Sequence, residues 1–172
     1  DARRIAELTG FVQTAMTLTG VPGVSVGIYQ DGKVVFADGL GVRELGKPER
    51  PDGQTRFMVA SNTKALATLM LARLVDQKKF GWDTRATSLL PSFKLGNAET
   101  TSKVLVKHLI CACTGMPRQD IEWLLEFQRM TPEGAVKLLG TMQPTSGFGE
   151  LFQYSNMMAA AAGYIGGHVA YP

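Results

Sequence analysis

Apolar residues recur near helical spacing over residues 3–18, where Ile5, Leu8, Val12, Ala15, Met16 and Leu18 share a face and Arg3, Arg4, Glu7 and Gln13 lie elsewhere on the wheel. That is the pattern of an amphipathic helix packing on another layer. The period then changes from helical to alternating. After Val21-Pro22-Gly23, the run Val24-Ser25-Val26-Gly27-Ile28-Tyr29 reads as a half-buried strand, Asp31-Gly32 as a turn and Val34-Val35-Phe36-Ala37 as the returning strand. Asp-Gly between two apolar runs is the strongest short-range hairpin signal, so residues 24–43 are predicted to form a hairpin. Residues 44–54, polar and rich in Pro and Gly, read as a surface loop.

The apolar run Phe57-Met58-Val59-Ala60 breaks at Ser61-Asn62-Thr63 into a nearly all-apolar segment, with Leu66, Leu69, Met70, Leu74 and Val75 predicted to be buried and Lys78-Lys79-Phe80-Gly81 closing the helix. Three helix-starting residues in a row place the helix N-terminus there, and Gly81 suits its C-terminal cap. A mostly helical half follows. Short helices are predicted over residues 86–90, stopped by Pro91, over 104–113, stopped by Gly115 and Pro117, and over 121–127. Thr131-Pro132-Glu133 supplies an N-cap, an N1 proline and a first-turn acid for a helix ending at Gly140. A last helix is predicted over Met157 to Ile165. The expected class is α+β, an antiparallel sheet flanked by helices plus a mostly helical subdomain, with residues 1–60 in the sheet part and 61–172 in the nucleophile-helix and helical part.

Candidate chemistry sits at the corner between the two patterns. Ser61 and Lys64 are i and i+3 on one helix face, close enough to touch. A lysine in the first helical turn faces the positive end of the helix dipole, and burial also favours its neutral form. A neutral amine beside a hydroxyl can take its proton, and nearby helix amides can hold a developing oxyanion. The competing structural reading makes Ser61 a plain helix cap. Further along, Tyr154 and Asn156 lie two apart in Phe152-Gln153-Tyr154-Ser155-Asn156, so extended backbone would aim both polar tips the same way. The structural reading there is an asparagine cap with a neighbouring tyrosine.

Composition narrows the function classes. With 172 residues and 45% hydrophobic content the chain can bury a core, and a net charge of +3 without a dense Lys/Arg cluster gives no electrostatic footprint for nucleic acid. The apolar run ending at Ile165 is too short to span a bilayer, and no transmembrane segment is expected. Cys111 and Cys113, two apart, are poorly spaced for a disulfide within regular structure and too few for a metal site, so they read as buried free thiols. His108 reads as a packed histidine, His168 as lying at a helix end, Met157-Met158 as core, and Trp82 and Trp123 as buried against the helical half. The chain opens on Asp1 without a signal peptide, which fits a processed or trimmed product.

Taken together, these motifs resemble the serine beta-lactamase and penicillin-recognising hydrolase superfamily, in its class C-like branch, which also holds DD-peptidases, D-aminopeptidases and beta-lactamase-like carboxylesterases. The likeness runs through Val21-Pro22-Gly23 and Asp31-Gly32-Lys33, Ser61-Asn62-Thr63-Lys64, Phe80-Gly81-Trp82-Asp83, Leu89-Leu90-Pro91, His108-Leu109-Ile110, Thr114-Gly115-Met116-Pro117 and Tyr154-Ser155-Asn156. The resemblance implies a beta-lactamase/transpeptidase-like fold and a serine hydrolase acting through an acyl-enzyme on amide or ester bonds, with beta-lactams or D-alanyl peptides as substrates. Ser61 would be the nucleophile and Lys64 its proton partner. Tyr154 would be the general base or relay, its pKa lowered by the lysine, and Asn156 would bind the substrate's amide carbonyl and help place Lys64. The Ser61 amide would be one oxyanion donor. No metal or organic cofactor is implied, and placement in the periplasm or outside the cell follows from the family.

Two departures stand out. Ala112-Cys113-Thr114-Gly115 replaces the usual His-Thr-Ser-Gly, and the third family element, a Lys or His followed by Thr/Ser and Gly on a sheet strand, is absent. The chain therefore reads as an N-terminal portion, inactive alone, whose partner would be the C-terminal remainder of the same enzyme with its missing strands. An esterase using the same residues, and a non-catalytic module that kept the fold, stay open.

Overall fold

The computed structural model describes residues 2–126 and 128–171, and the side chains of Glu122 and Trp123 lie outside the description, as does the expectation for Trp123. The fold is α+β, and the chain divides into two compact units, residues 1–58 and 59–172.

The first unit holds helix α1 (Ala2–Thr19) and strands β1 (Gly23–Gln30) and β2 (Lys33–Gly41), paired antiparallel from Gly23 opposite Gly41 to Gln30 opposite Lys33. Asp31 and Gly32 both take positive φ, 49° and 77°, which is what a two-residue hairpin turn matching the strand twist demands. Val24, Val26 and Ile28 are half-buried, as the alternation predicts. On α1 only Met16 is buried, while Phe11 and Leu18 stay exposed. Among the described residues the sheet has two strands, and Tyr29, Val34 and Val35 remain open to solvent.

The second unit is built around α7 (Asn156–Ala170), against which α2 (Asn62–Asp76), α3 (Ala86–Leu89) and α6 (Pro132–Leu139) pack. Small residues make this possible. Ala161 and Ala162 are fully buried, and a Cβ on Gly166 would meet the Met70 methyl at 2.4 Å, so α2 can lie close. Leu71, Phe93, Val104, Val106, Leu109, Met116, Leu139 and Ile165 fill the interior. Burying each such side chain is worth about 1.5–3 kcal/mol. Met157 and Met158 are buried, Trp82 packs half-buried on the core, and His168 sits in the last turn of α7. Thr131 accepts the Gly134 N–H and launches α6 as its sequence indicates.

Several expectations are corrected. Residues 104–113 are not a helix. Only Val106–Leu109 form a short 3-10 turn, because the backbone there bonds elsewhere: Val104 O accepts from Ala86, and the N–H groups of Val106 and Lys107 donate to Thr84 and Trp82. His108 Nδ1 takes the Leu105 N–H, and its ring meets Phe148 edge-on at 4.9 Å; burial pushes its pKa down. Having left regular structure, the chain can join Cys111 to Cys113 in a disulfide with Cα atoms 5.2 Å apart, and Ala112 between them turns through φ 54°. They are neither free thiols nor fully buried. Leu66 and Leu69 are exposed rather than buried, since α2 offers α7 only the face carrying Leu71 and Leu74. The left-handed residue ending α2 is Lys78 at φ 57°, not Gly81. Helix α4 (Ala98–Lys103), opened by Asn97 accepting the Thr100 N–H, was not anticipated. Helix α5 spans Ile121–Glu126, and Phe127, where it was expected to end, lies outside the described residues.

Candidate active site

Ser61 stands at the entrance to α2 on a tight turn, with Asn62 N–H donating to Val59 O at 3.1 Å and Thr63 N–H to Ala60 O at 3.0 Å. Ala60 sits at φ 45°, a left-handed conformation that a non-glycine residue adopts at a cost and that is common next to functional groups. Ser61 is in the N-cap position, yet its side chain makes no cap bond. Its Oγ lies 2.5 Å from Tyr154 Oη and accepts from Lys64 Nζ at 3.2 Å. The plain-cap reading of Ser61 is thereby corrected: its hydroxyl is spent on two polar side chains. Among the described residues the Ser61 N–H meets no acceptor.

Tyr154 arrives from 93 residues away, and the loop around the disulfide positions it. Residues 112–115 run alongside 145–153: Gln153 N–H donates to Ala112 O at 2.7 Å, Gly149 N–H to Cys113 O at 2.8 Å, and Thr145 N–H to Gly115 O at 2.9 Å. Gly115 needs its φ of 78°, and a Cβ there would meet Ser146 O at 2.3 Å. Ser155 then caps α7 by accepting the Met158 N–H, so the asparagine-cap reading is corrected too. Asn156 is the first helical residue, with its side chain free to turn into the site.

That side chain joins the cluster to a second layer. Asn156 Oδ1 accepts from Lys64 Nζ at 2.5 Å, and Asn156 Nδ2 donates to Asp120 Oδ1 at 2.7 Å. An ammonium can only donate and a carboxylate can only accept, and between two such partners this is the one amide orientation that satisfies both. Asp120 also accepts from Arg118 Nε at 2.6 Å, and the Arg118 guanidinium lies 5.3 Å from the centre of the Tyr154 ring. Lys64 Nζ lies 4.5 Å from the same centre. The hydrogen bond from Lys64 first, then that from Ser61, and the positive charges of Lys64 and Arg118 lower the Tyr154 pKa below the usual phenol value, outweighing some desolvation. Sequence reasoning brought out Ser61, Lys64, Tyr154 and Asn156, and the structure brings all four together. It missed Arg118 and Asp120, whose only sequence signal is a charged pair directly after Gly115-Met116-Pro117.

A cavity of about 150 Å³ is lined by Lys64 and Tyr154 together with Leu109, Ile110, Ala112 and Met158, an apolar wall beside a polar cluster. Among the described residues no three His, Cys, Asp or Glu side chains gather as a metal site would require. Among the described residues no helix is long and apolar enough to cross a membrane.

The sequence profile of the Beta-lactamase family matches residues 8–170. The chain belongs to that family. Among curated relatives it is 28% identical over 156 residues to Protein flp of Staphylococcus aureus strain MW2, covering 84% of this chain and 29% of that protein. Among solved structures it superposes on an octameric penicillin-binding protein homologue from Pyrococcus abyssi with a TM-score of 0.82 and 25% identity, over 96% of this chain and 39% of that one. The hydrolase EstCE1, described as having promiscuous acyltransferase activity, superposes with a TM-score of 0.80 at 22% identity, over 96% of this chain and 47% of that one, and shares the fold. The chain thus spans less than half the length of each of these proteins.

Proposed function

We propose that this chain carries the nucleophile side of a serine hydrolase active site that cleaves amide or ester bonds through an acyl-enzyme, with beta-lactams or D-alanyl peptides as the substrate class. The observation that carries the reading is Ser61 Oγ held 2.5 Å from a phenol oxygen and 3.2 Å from an amine. Lys64 is placed as a donor to Ser61 and Asn156, so the base role passes to Tyr154, whose lowered pKa suits it. Tyr154 as phenolate takes the Ser61 proton while Oγ attacks the carbonyl carbon, and the Ser61 N–H faces the oxyanion that forms. Collapse expels the amine or alcohol, which collects the proton from Tyr154. Water then gives a proton to the Tyr154 phenolate as it attacks the acyl carbon, and the bond to Ser61 Oγ breaks as Oγ takes that proton back. Asn156 contributes to holding Lys64 and to binding the substrate's amide carbonyl. A second oxyanion donor and the cation-Thr/Ser-Gly element are assigned to a C-terminal remainder outside this chain, and the chain alone is inactive on this reading.

The test is labelling of the full-length protein and its Ser61→Ala variant with a fluorescent penicillin and a fluorophosphonate. Labelling by both reagents that vanishes in the variant supports the reading, and labelling by the phosphonate alone reassigns the substrate to esters. Labelling by neither overturns it in favour of a non-catalytic module. The Cys111–Cys113 disulfide supports a place in the periplasm or outside the cell, where such bonds persist. Protein alkylated straight from its host without reductant should show both cysteines blocked; two alkylated thiols would refute that placement.

A further inference from the structure

We propose that Asp120 and Arg118 are a positioning pair for the Ser61 reaction: Asp120 fixes the Asn156 amide so that its oxygen faces Lys64, and holds the Arg118 guanidinium beside the Tyr154 ring. This rests on the hydrolase reading for its purpose, though not for its geometry. The cluster forms a continuous chain from Arg118 Nε to Asp120 Oδ2 at 2.6 Å, from Asn156 Nδ2 to Asp120 Oδ1 at 2.7 Å, and from Lys64 Nζ to Asn156 Oδ1 at 2.5 Å and Ser61 Oγ at 3.2 Å. Each carboxylate oxygen thus answers a different donor. The two partners differ in exposure: the Asp120 side chain is 15% exposed and that of Arg118 66%. A largely exposed arginine stays in one place only if something tethers it, and Asp120 is the charged partner that does so.

The consequence of losing each part follows from the bonding. Without an acceptor at position 120, only the bond from Lys64 still opposes rotation of the Asn156 amide by half a turn, which would present its NH2 group to the Lys64 amine, donor against donor. In the rotated state Lys64 would lose an acceptor and shift from Ser61. Without the tether, the Arg118 charge would move into water, where screening removes most of its pull on the phenol. The polar and charged groups facing Tyr154 include the Ser61 hydroxyl from the N-cap of α2, the Lys64 amine from α2 and Arg118 from the loop before α5, with Asp120 behind it. Arg118 supports the phenolate as one of those two cations, the smaller contributor after Lys64.

The pair can be tested in the full-length protein with Asp120→Ala, Asp120→Asn and Arg118→Gln, reading two quantities. One is the Tyr154 titration, followed as tyrosinate absorbance with Tyr154→Phe as the subtraction control; the other is kcat/KM against pH with a chromogenic beta-lactam and a chromogenic ester. Asp120→Ala should raise the Tyr154 pKa, move the acidic limb of the profile upward in step, and lower kcat/KM at neutral pH by about 10- to 100-fold. Asp120→Asn keeps an acceptor for Asn156 and should recover most of the rate. It should keep part of the pKa shift, because Arg118 is no longer salt-bridged. Arg118→Gln, at an exposed position where folding is not in question, should move the titration upward with a smaller loss of rate. An unchanged titration in both Asp120→Ala and Arg118→Gln, whatever their melting temperatures, overturns the proposal. If wild type hydrolyses neither substrate the hydrolase reading fails, yet the titration still decides whether the pair sets the Tyr154 environment.

Discussion

In the first unit the hairpin closes through Asp31 and Gly32, adjacent in the chain, and of the buried hydrophobic side chains only Met16 belongs to it. In the second unit the interior is shared by Leu71, Phe93, Leu109, Leu139 and Ile165, drawn from segments far apart in sequence, and every residue of the polar cluster lies there. One unit is specified by neighbours and buries almost no core, leaving Phe11, Leu18, Tyr29 and Val34 exposed; the other is specified by distant packing and buries a shared core, although Leu66, Leu69 and Phe152 are exposed there too. The contrast indicates where precision is needed. A serine and a phenol 93 positions apart can be held 2.5 Å from each other only by a core that fixes both segments.

The sharpest way to separate the site from the core that carries it is Tyr154→Phe in the full-length protein. Losing the proposed base should lower kcat/KM by about 10²- to 10⁴-fold with the melting temperature nearly unchanged. The pH profile gives the sign. On the proposed mechanism Tyr154 acts as phenolate, so activity should rise with pH through a pKa lying below the ordinary phenol value of 10.0, and that acidic limb should disappear in the phenylalanine variant. A profile with the same limb in both proteins would assign the base elsewhere.

Breaking the core itself comes next. Leu71 is fully buried between α2 and α7, and Leu71→Ala should cost about 2–5 kcal/mol in urea unfolding, with activity falling as the Ser61 corner loosens. A loss under 1 kcal/mol would mean that α2 is not anchored there. Reducing the disulfide should do less to stability. Its closed loop is so short that unfolding with and without reductant should differ by under about 2 kcal/mol. Because Ala112 O accepts the Gln153 N–H just before Tyr154, reduction should still slow turnover measurably. The smallest effect belongs to the first unit: Val34→Thr, on an exposed strand position, should change stability by no more than about 0.5 kcal/mol, and a larger loss would show that this face is covered in the full-length protein.

Local rules carried the sequence a long way in particular places. The Asp31-Gly32 turn, the Thr131-Pro132-Glu133 helix start and the alternation of Val24, Val26 and Ile28 were all readable, because each depends on residues within a few positions. Ser61 and Lys64 were readable as a pair for the same reason, one helical turn apart. The failures share the opposite cause. Residues 104–113 look helical by apolar spacing, but their backbone is claimed by Trp82, Thr84 and Ala86, and only outside a helix can Cys111 reach Cys113.

What the sequence determined by itself was the set of local devices: the hairpin, the helix starts, the nucleophile corner and the apolar and small residues that allow α2 to approach α7. Tertiary structure alone decided that Ser61 would turn from capping its helix toward Tyr154, that Ser155 would cap α7 so that Asn156 could reach Lys64, and that Asp120 and Arg118 would stand behind them. The physical reason is that a hydroxyl, amide or carboxylate has many partners of similar energy nearby in the chain. Only the packing of distant segments leaves one arrangement in which all of them are satisfied at once.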